Sequence, residues 1–238
     1  RDLHSFPTRR SSDLSRLARD IKSRFPNIHC VVLTPFSHGI TKRMENEDLS
    51  IFDYVFCWLG NTNLILSIIK LIEDKMNLEH DIQEAGVQMI LLVEDSIRFY
   101  SSILPNLYNY ILEQSKNFSK EALNRHAATM RMRGRPKVVL ARTYEEAQKL
   151  YDKYSNNTLG VISDARFPLK SAAKAFGNKV ETEAKPKHRT DTFGREKCPD
   201  AGLQLFRYIR KNDPFVPLIL ESSESDNRAK AEAEGFRF

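Results

Sequence analysis

The chain has 238 residues, 41% of them apolar and 29% charged, the make-up of a globular protein with room for one large domain or two small ones. Its longest clean apolar run near the centre, Met89 to Val93, is strand-sized, which argues against a membrane-spanning helix and an intact secretory signal. The formal charge of +6 is local, with net +5 in residues 125–137 and net +4 in residues 170–197, so the rest of the chain is mildly acidic and no polycationic fold is implied.

Residues 1–14 show no apolar period. The run from His4 to Leu14 resembles the translation of a sequencing-library adapter, so the segment is set apart as an artefact and the natural beginning of the protein is expected to differ. From Ser15 the pattern predicts a helix to about Phe25, a strand at Ile28–Leu33, a helix from about His38 to Glu47, a strand at Tyr54–Cys57 and a helix at Leu64–Met76. In the last of these, Leu64, Ile65, Ile68, Ile69, Leu71 and Ile72 recur at helical spacing. This αβαβα series reads as the C-terminal half of an α/β domain, residues 15–78, whose parallel strands need further partners.

Polar, acidic residues 79–86, punctuated by Gly86, are predicted to be a linker. A second α/β domain then occupies residues 87–238. Val87 to Val93 forms its first strand and ends in Glu94 and Asp95, and a long helical region from Ser96 to about Met132 follows, with Pro105 able to kink it. Next come a strand at Lys137–Ala141, a helix at Tyr144–Tyr154 and an apolar strand that ends in Asp164, four residues before Pro168. After a polar insertion at 169–199, a helix at Ala201–Lys211 leads to a strand at Val216–Leu220, to Ser222 and Ser223, and to a helix near Arg228–Glu234; one more strand is due at Gly-Phe-Arg-Phe238.

Parallel strands place their carboxyl ends on one edge, so Glu94, Asp95, Asp164 and Ser222 are expected to converge at one crevice. Three carboxylates in one pocket repel one another and raise each other's pKa unless a cation offsets them. A hard divalent ion with oxygen ligands, Mg²⁺ above all, resolves that conflict and prepares the site for a phosphoryl group. A lone strand-end acid is often only a turn former; acids at two strand ends with a hydroxyl at a third favour a site.

These residues resemble a known family. Leu92-Val-Glu-Asp-Ser96, Asp164-x-x-Phe-Pro168, Ala201-Gly202 opening a helix and Leu220-Glu-Ser222-Ser223 are similar to the response-regulator receiver domain over about residues 87–238. The resemblance implies a flavodoxin-like doubly wound parallel sheet. It also implies that Asp164 is the phospho-acceptor, that Glu94 and Asp95 with Asp164 hold Mg²⁺, and that Ser222 is the switch hydroxyl. A histidine kinase or other phosphodonor would be the upstream partner. The family's lysine belongs to a strand beyond Phe238. The first half resembles a degenerate receiver: Thr34 ends one strand, but Cys57 stands where that lysine belongs, which suggests packing against the second domain or a homodimer partner, with Trp58 as an anchor.

Taken with Leu-Thr-Pro-Phe-Ser37, Glu-Asp-Leu-Ser50, Lys-Leu-Ile-Glu-Asp-Lys-Met76 and Arg-Met-Arg-Gly-Arg-Pro-Lys137, the chain resembles the N-terminal region of bacterial phosphoenolpyruvate synthase-like proteins. Those carry a PEP/pyruvate-binding (pyruvate phosphate dikinase N-terminal) ATP-grasp domain, which would lie downstream. No Gly-rich nucleotide cradle occurs among the nine glycines, so no catalytic domain is expected within the chain itself.

Other classes rank lower. A pseudo-receiver serving only interaction or dimerisation is the first alternative. Arg133-Gly-Arg-Pro136 resembles an AT-hook, but it runs directly into a strand, so nucleic-acid binding ranks below a solvated basic connection. No second acid follows Asp164 at the spacing of dehalogenase-type phosphohydrolases, and His29, His38, His80, His126 and His188 sit in no nucleophile arrangement. Cys30, Cys57 and Cys198 are odd in number and widely spaced, like reduced thiols of a cytoplasmic protein.

Overall fold

The computed structural model describes residues 11–35, 49–170, 190, 191, 193 and 195–238, and the chain divides into two compact units, residues 1–61 and 62–238. In the first unit α1 (Ser11–Arg24) precedes two strands, β1 (Val31–Pro35) and β2 (Tyr54–Trp58). They pair in parallel, with Val31 opposite Tyr54 and Thr34 opposite Cys57, as the alternating α/β pattern predicts. Helix α1 begins at Ser11, inside the stretch set apart, and buries Ser15 and Ala18 three residues apart on one face. Asp53 fastens this unit: its carboxylate accepts from the Cys30 amide at 2.8 Å and pairs with Lys22 at 2.9 Å. The helix expected at 38–47 lies outside the described residues.

The second unit starts with α2 (Asn63–Ala85), which runs straight through the predicted linker and stops at Gly86 with φ 61°. The acidic stretch is the wet side of a helix whose other side continues the buried series Leu64, Ser67, Leu71, Asp74 and Leu78. Composition alone reads such a surface as a loop; the periodicity of Leu71, Leu78 and Ile82 is what keeps it helical.

Four strands follow: β3 (Met89–Val93), β4 (Lys137–Ala141), β5 (Thr158–Asp164) and, after a short ribbon, β8 (Leu218–Glu221). They form one parallel sheet in the order β4–β3–β5–β8. Between β3 and β4 the chain makes α3 (Ile97–Lys120) and α4 (Arg125–Arg133). Helix α3 runs through Pro105, which is buried, and α4 is started by Asn124, whose side chain accepts from the Ala127 amide at 2.8 Å. Helices α5 (Tyr144–Tyr154), α6 (Ala201–Asn212) and α7 (Ser225–Ala233) complete the alternation.

Met89, Leu91 and Val93 of β3 pack with Val139, Val161 and Leu218 from the neighbouring strands and with Tyr151 and Phe206 from α5 and α6, all buried. On the outer edge of β8, the Leu220 amide donates to the Arg237 carbonyl at 2.8 Å, where the next strand is predicted to begin.

The sequence pattern does not foresee the ribbon. Two-residue strands β6 (Phe167–Pro168) and β7 (Lys197–Cys198) pair antiparallel, placing Lys197 opposite Pro168, four residues beyond Asp164, the last residue of β5. A tight turn steadies β7. Asp191 accepts from the Phe193 and Arg195 amides at 3.0 and 2.7 Å and from the Arg195 guanidinium at 2.6 Å.

Candidate functional site

The carboxyl ends of β3, β5 and β8 meet on one edge of the sheet, and the four predicted residues meet with them. Glu94 and Asp95 leave the end of β3, Asp164 is the last residue of β5, and Ser222 follows β8. One oxygen from each of Glu94, Asp95 and Asp164 lies within 4.8 Å of the others. Glu94, Asp164 and Ser222 line an open pocket of about 540 Å³, with Phe99, Arg166, Lys197, Glu221, Ser223, Glu224 and Asn227 around them.

Glu94 and Asp164 are fixed by backbone amides, and Asp95 by an ion pair. The Glu94 amide donates to the Ala141 carbonyl at 3.0 Å, extending the β3–β4 ladder by one bond, and its carboxylate accepts from the Ser96 amide at 2.8 Å at the start of α3. Asp95 is fully buried. Its Oδ2 lies 2.7 Å from the Lys197 ammonium in an ion pair, and neither oxygen accepts a well-formed hydrogen bond from any described residue. Asp164 accepts from the Ala165 amide at 2.7 Å.

Gly202 explains how Asp164 can sit so close to α6. A Cβ at that position would lie 2.4 Å from the Asp164 carbonyl oxygen and 3.1 Å from the Ala165 Cα, both backbone atoms that cannot step aside. The Gly202 amide donates to the Ala165 carbonyl at 3.1 Å, so the first turn of α6 lies directly against the loop that carries the acid.

The electrostatics are those of acids crowded away from water. Burial, with the Asp164 charge behind it, pushes the Glu94 carboxyl well above its usual range. Burial also raises Asp95, against the opposing pull of Lys197. Asp164 is pushed up to about 6, first by burial and then by the neighbouring Asp95 charge, against the amides of Ala165 and Arg166. Burial raises Glu221 as well.

Oxygen-only donors, mutual repulsion and a buried Asp95 oxygen without a hydrogen-bond partner fit a hard divalent cation held by Glu94, Asp95 and Asp164. Ser222 stands across the pocket, where its Oγ accepts from the Asn227 side chain at 2.8 Å and from the Glu224 amide at 3.1 Å.

Two cations of the pocket are not apparent in the sequence. Lys197 arrives from the insertion, and Arg166, two residues past Asp164, pairs with Glu224 at 2.9 Å. Arg166 occupies an unspecified position of Asp164-x-x-Phe-Pro168, and the placing of Lys197 depends on a two-residue ribbon that no sequence pattern marks.

The AT-hook-like segment is engaged elsewhere. Arg135 is buried and grips the fully buried Asp74 of α2 through both terminal nitrogens, at 2.6 and 3.1 Å. Tyr108 and the Val138 amide donate to the same carboxylate at 3.0 Å, and Lys137 pairs with Asp81 at 2.6 Å. In the first unit Cys57 is buried in β2. No described helix is long and apolar enough to cross a membrane. No family model, curated protein or solved structure matches the chain.

Proposed function

We propose that residues 62–238 form a receiver-type signalling domain that accepts a phosphoryl group on Asp164 with the help of Mg²⁺. The observation that carries this reading is the convergence of Glu94, Asp95 and Asp164 within 4.8 Å at the carboxyl edge of a parallel sheet. The strand order supports it: β4–β3–β5–β8, with pairing begun beyond β8, follows the flavodoxin-like sequence of strands.

In this reading Asp164 is the nucleophile. Its carboxylate oxygen attacks the phosphorus of a small acyl phosphate, the new P–O bond forms as the old one to the leaving carboxylate breaks, and the product is an aspartyl phosphate. Bound Mg²⁺ supplies charge stabilisation for the transferring group. Glu94 and Asp95 place carboxyl oxygens where the cation would be held. With its carboxyl at about 6, Asp164 is mostly ionised near neutral pH, as a nucleophile must be. Ser222, held by Asn227 across the pocket, is the hydroxyl placed to turn towards a new phosphoryl oxygen.

The wider setting is proposed on resemblance. It is a cytoplasmic bacterial phosphorelay in which a histidine kinase or small phosphodonor acts on this region. The region in turn regulates a phosphoenolpyruvate synthase-like ATP-grasp partner domain, with the first unit as a non-switching packing or dimer module.

Incubating a version of the chain extended through the next strand with Mg²⁺ and acetyl phosphate is expected to add one phosphoryl group by intact mass, labile to hydroxylamine, and Asp164→Asn to add none. Absence of any added mass would put the pseudo-receiver reading first. The Lys197–Asp95 ion pair favours that second reading, since it already offsets part of the acidic charge.

A further inference from the structure

The acid cluster already contains a cation of its own. The Lys197 ammonium lies 2.7 Å from Asp95 Oδ2, and Asp95 is completely buried while Lys197 keeps 17% of its side chain in contact with solvent. Accepting the cation site proposed above, we infer that Lys197 is a resident competitor of the divalent cation: it holds the site closed in the metal-free protein and must leave Asp95 when the cation enters.

The argument is one of charge and space. Three carboxylates within 4.8 Å cannot be left bare, and Lys197 is the one ammonium ion-paired to any of them among the described residues. A hard cation binds carboxylate oxygen at about 2.0–2.6 Å, so it enters the first shell of the oxygen that the ammonium now faces. Both positive charges at one buried carboxylate repel each other in a medium of low dielectric. Solvent exposure gives the ammonium a way out and Asp95 has none, so Lys197 is the group that moves.

Its departure would be felt in the ribbon. Lys197 belongs to β7, whose partner β6 begins three residues after Asp164, and β7 leads within four residues to Ala201 and Gly202. On the far side, Asp191 and Arg195 hold β7 through bonds that use none of the three acids, although both charges also reach Asp95. The ribbon thus has one anchor that survives cation binding and one that does not, so occupancy of the acid site is coupled to the order of the segment beside Asp164. A residue from an elaboration of the loop thereby sets the cation affinity of a site built by the sheet.

The test is Mn²⁺ binding, read from the electron paramagnetic resonance signal of free aqueous Mn²⁺, on the full chain and on Lys197→Met and Asp95→Asn. Competition predicts that Lys197→Met binds on the order of tenfold more tightly than the unaltered chain. It also predicts that Mg²⁺ speeds amide hydrogen exchange at residues 195–198 in the unaltered chain while β3 is unchanged. Equal or weaker binding by Lys197→Met, with Asp95→Asn abolishing binding, overturns the competitor and leaves the cation site standing. Absence of Mn²⁺ binding in both the unaltered chain and Lys197→Met removes the site, and the competitor with it. Should Lys197→Met fail to fold, the exchange measurement decides alone: unchanged or slower exchange at 195–198 refutes displacement.

Discussion

Replacing Asp164 by asparagine should make the metal-free protein more stable at neutral pH, which is unusual for a substitution at a candidate active site. The carboxyl of Asp164 is pushed from its ordinary 3.8 to about 6. The folded protein therefore keeps a proton that the unfolded chain has already lost. That advantage is fully present below about pH 4 and disappears as pH rises through about 6. A displacement of roughly two pH units is worth about 3 kcal/mol. Glu94 and Asp95 are raised too and act in the same direction. Asparagine keeps an oxygen for the Ala165 amide but carries no charge, so the gain is reduced by the weaker hydrogen bonds that a neutral acceptor makes. The expected net gain at pH 7 is about 1–3 kcal/mol. Urea denaturation followed by circular dichroism, in chelator at pH 4, 5, 6 and 7, gives the comparison, with the first unit contributing equally to both proteins. The unaltered chain should lose stability from pH 4 to 7 and Asp164→Asn should lose less. Asp164→Asn equal to or weaker than the unaltered chain at pH 7, with the same slope, would refute the claim that these acids are crowded and only partly neutralised.

Two further predictions concern the frame of the site. Gly202→Ala drives a Cβ into the Asp164 and Ala165 backbone and is expected to cost about 1–3 kcal/mol in urea denaturation and to weaken Mn²⁺ binding; an unchanged midpoint would mean that α6 can retreat freely. Arg135→Ala leaves Asp74 buried beside a weaker partner, Lys137 at 3.7 Å, and is expected to cost about 3–5 kcal/mol, measured the same way, whereas Arg133→Ala should fall within about 0.5 kcal/mol of the unaltered chain.

The parts of this fold legible in the sequence are those where a short apolar run meets abrupt punctuation. Met89–Val93, Lys137–Ala141 and the strand ending in Asp164 are such runs, and the parallel arrangement that gathers Glu94, Asp95, Asp164 and Ser222 follows from their alternation with helices. Gly202 carried a usable signal because a glycine at a helix start needs a reason, and the reason is steric. Two features were out of reach. The helix through residues 79–85 looks polar because one side of it faces water, and its inward Asp74 looks like surface until Arg135, 61 residues later, is known to meet it. Lys197 lies in a stretch where composition suggests only a basic loop, and two ribbon residues decide that its ammonium faces inward.

The clasp between α2 and the Arg135–Lys137 segment also bears on how this protein can be taken apart. A fragment cut at Gly86, where composition invites a cut, would leave Arg135 and Lys137 with no carboxylate to face and would strip Tyr108 and the Val138 amide of their shared acceptor. Lys137 and Val138 are the first two residues of β4, the strand paired with β3, so the loss would be felt at the start of the sheet that displays the acids. Any dissection meant to preserve the pocket should retain the chain from Thr62 onward, because α2 supplies the counter-charges of this unit as well as a buried face.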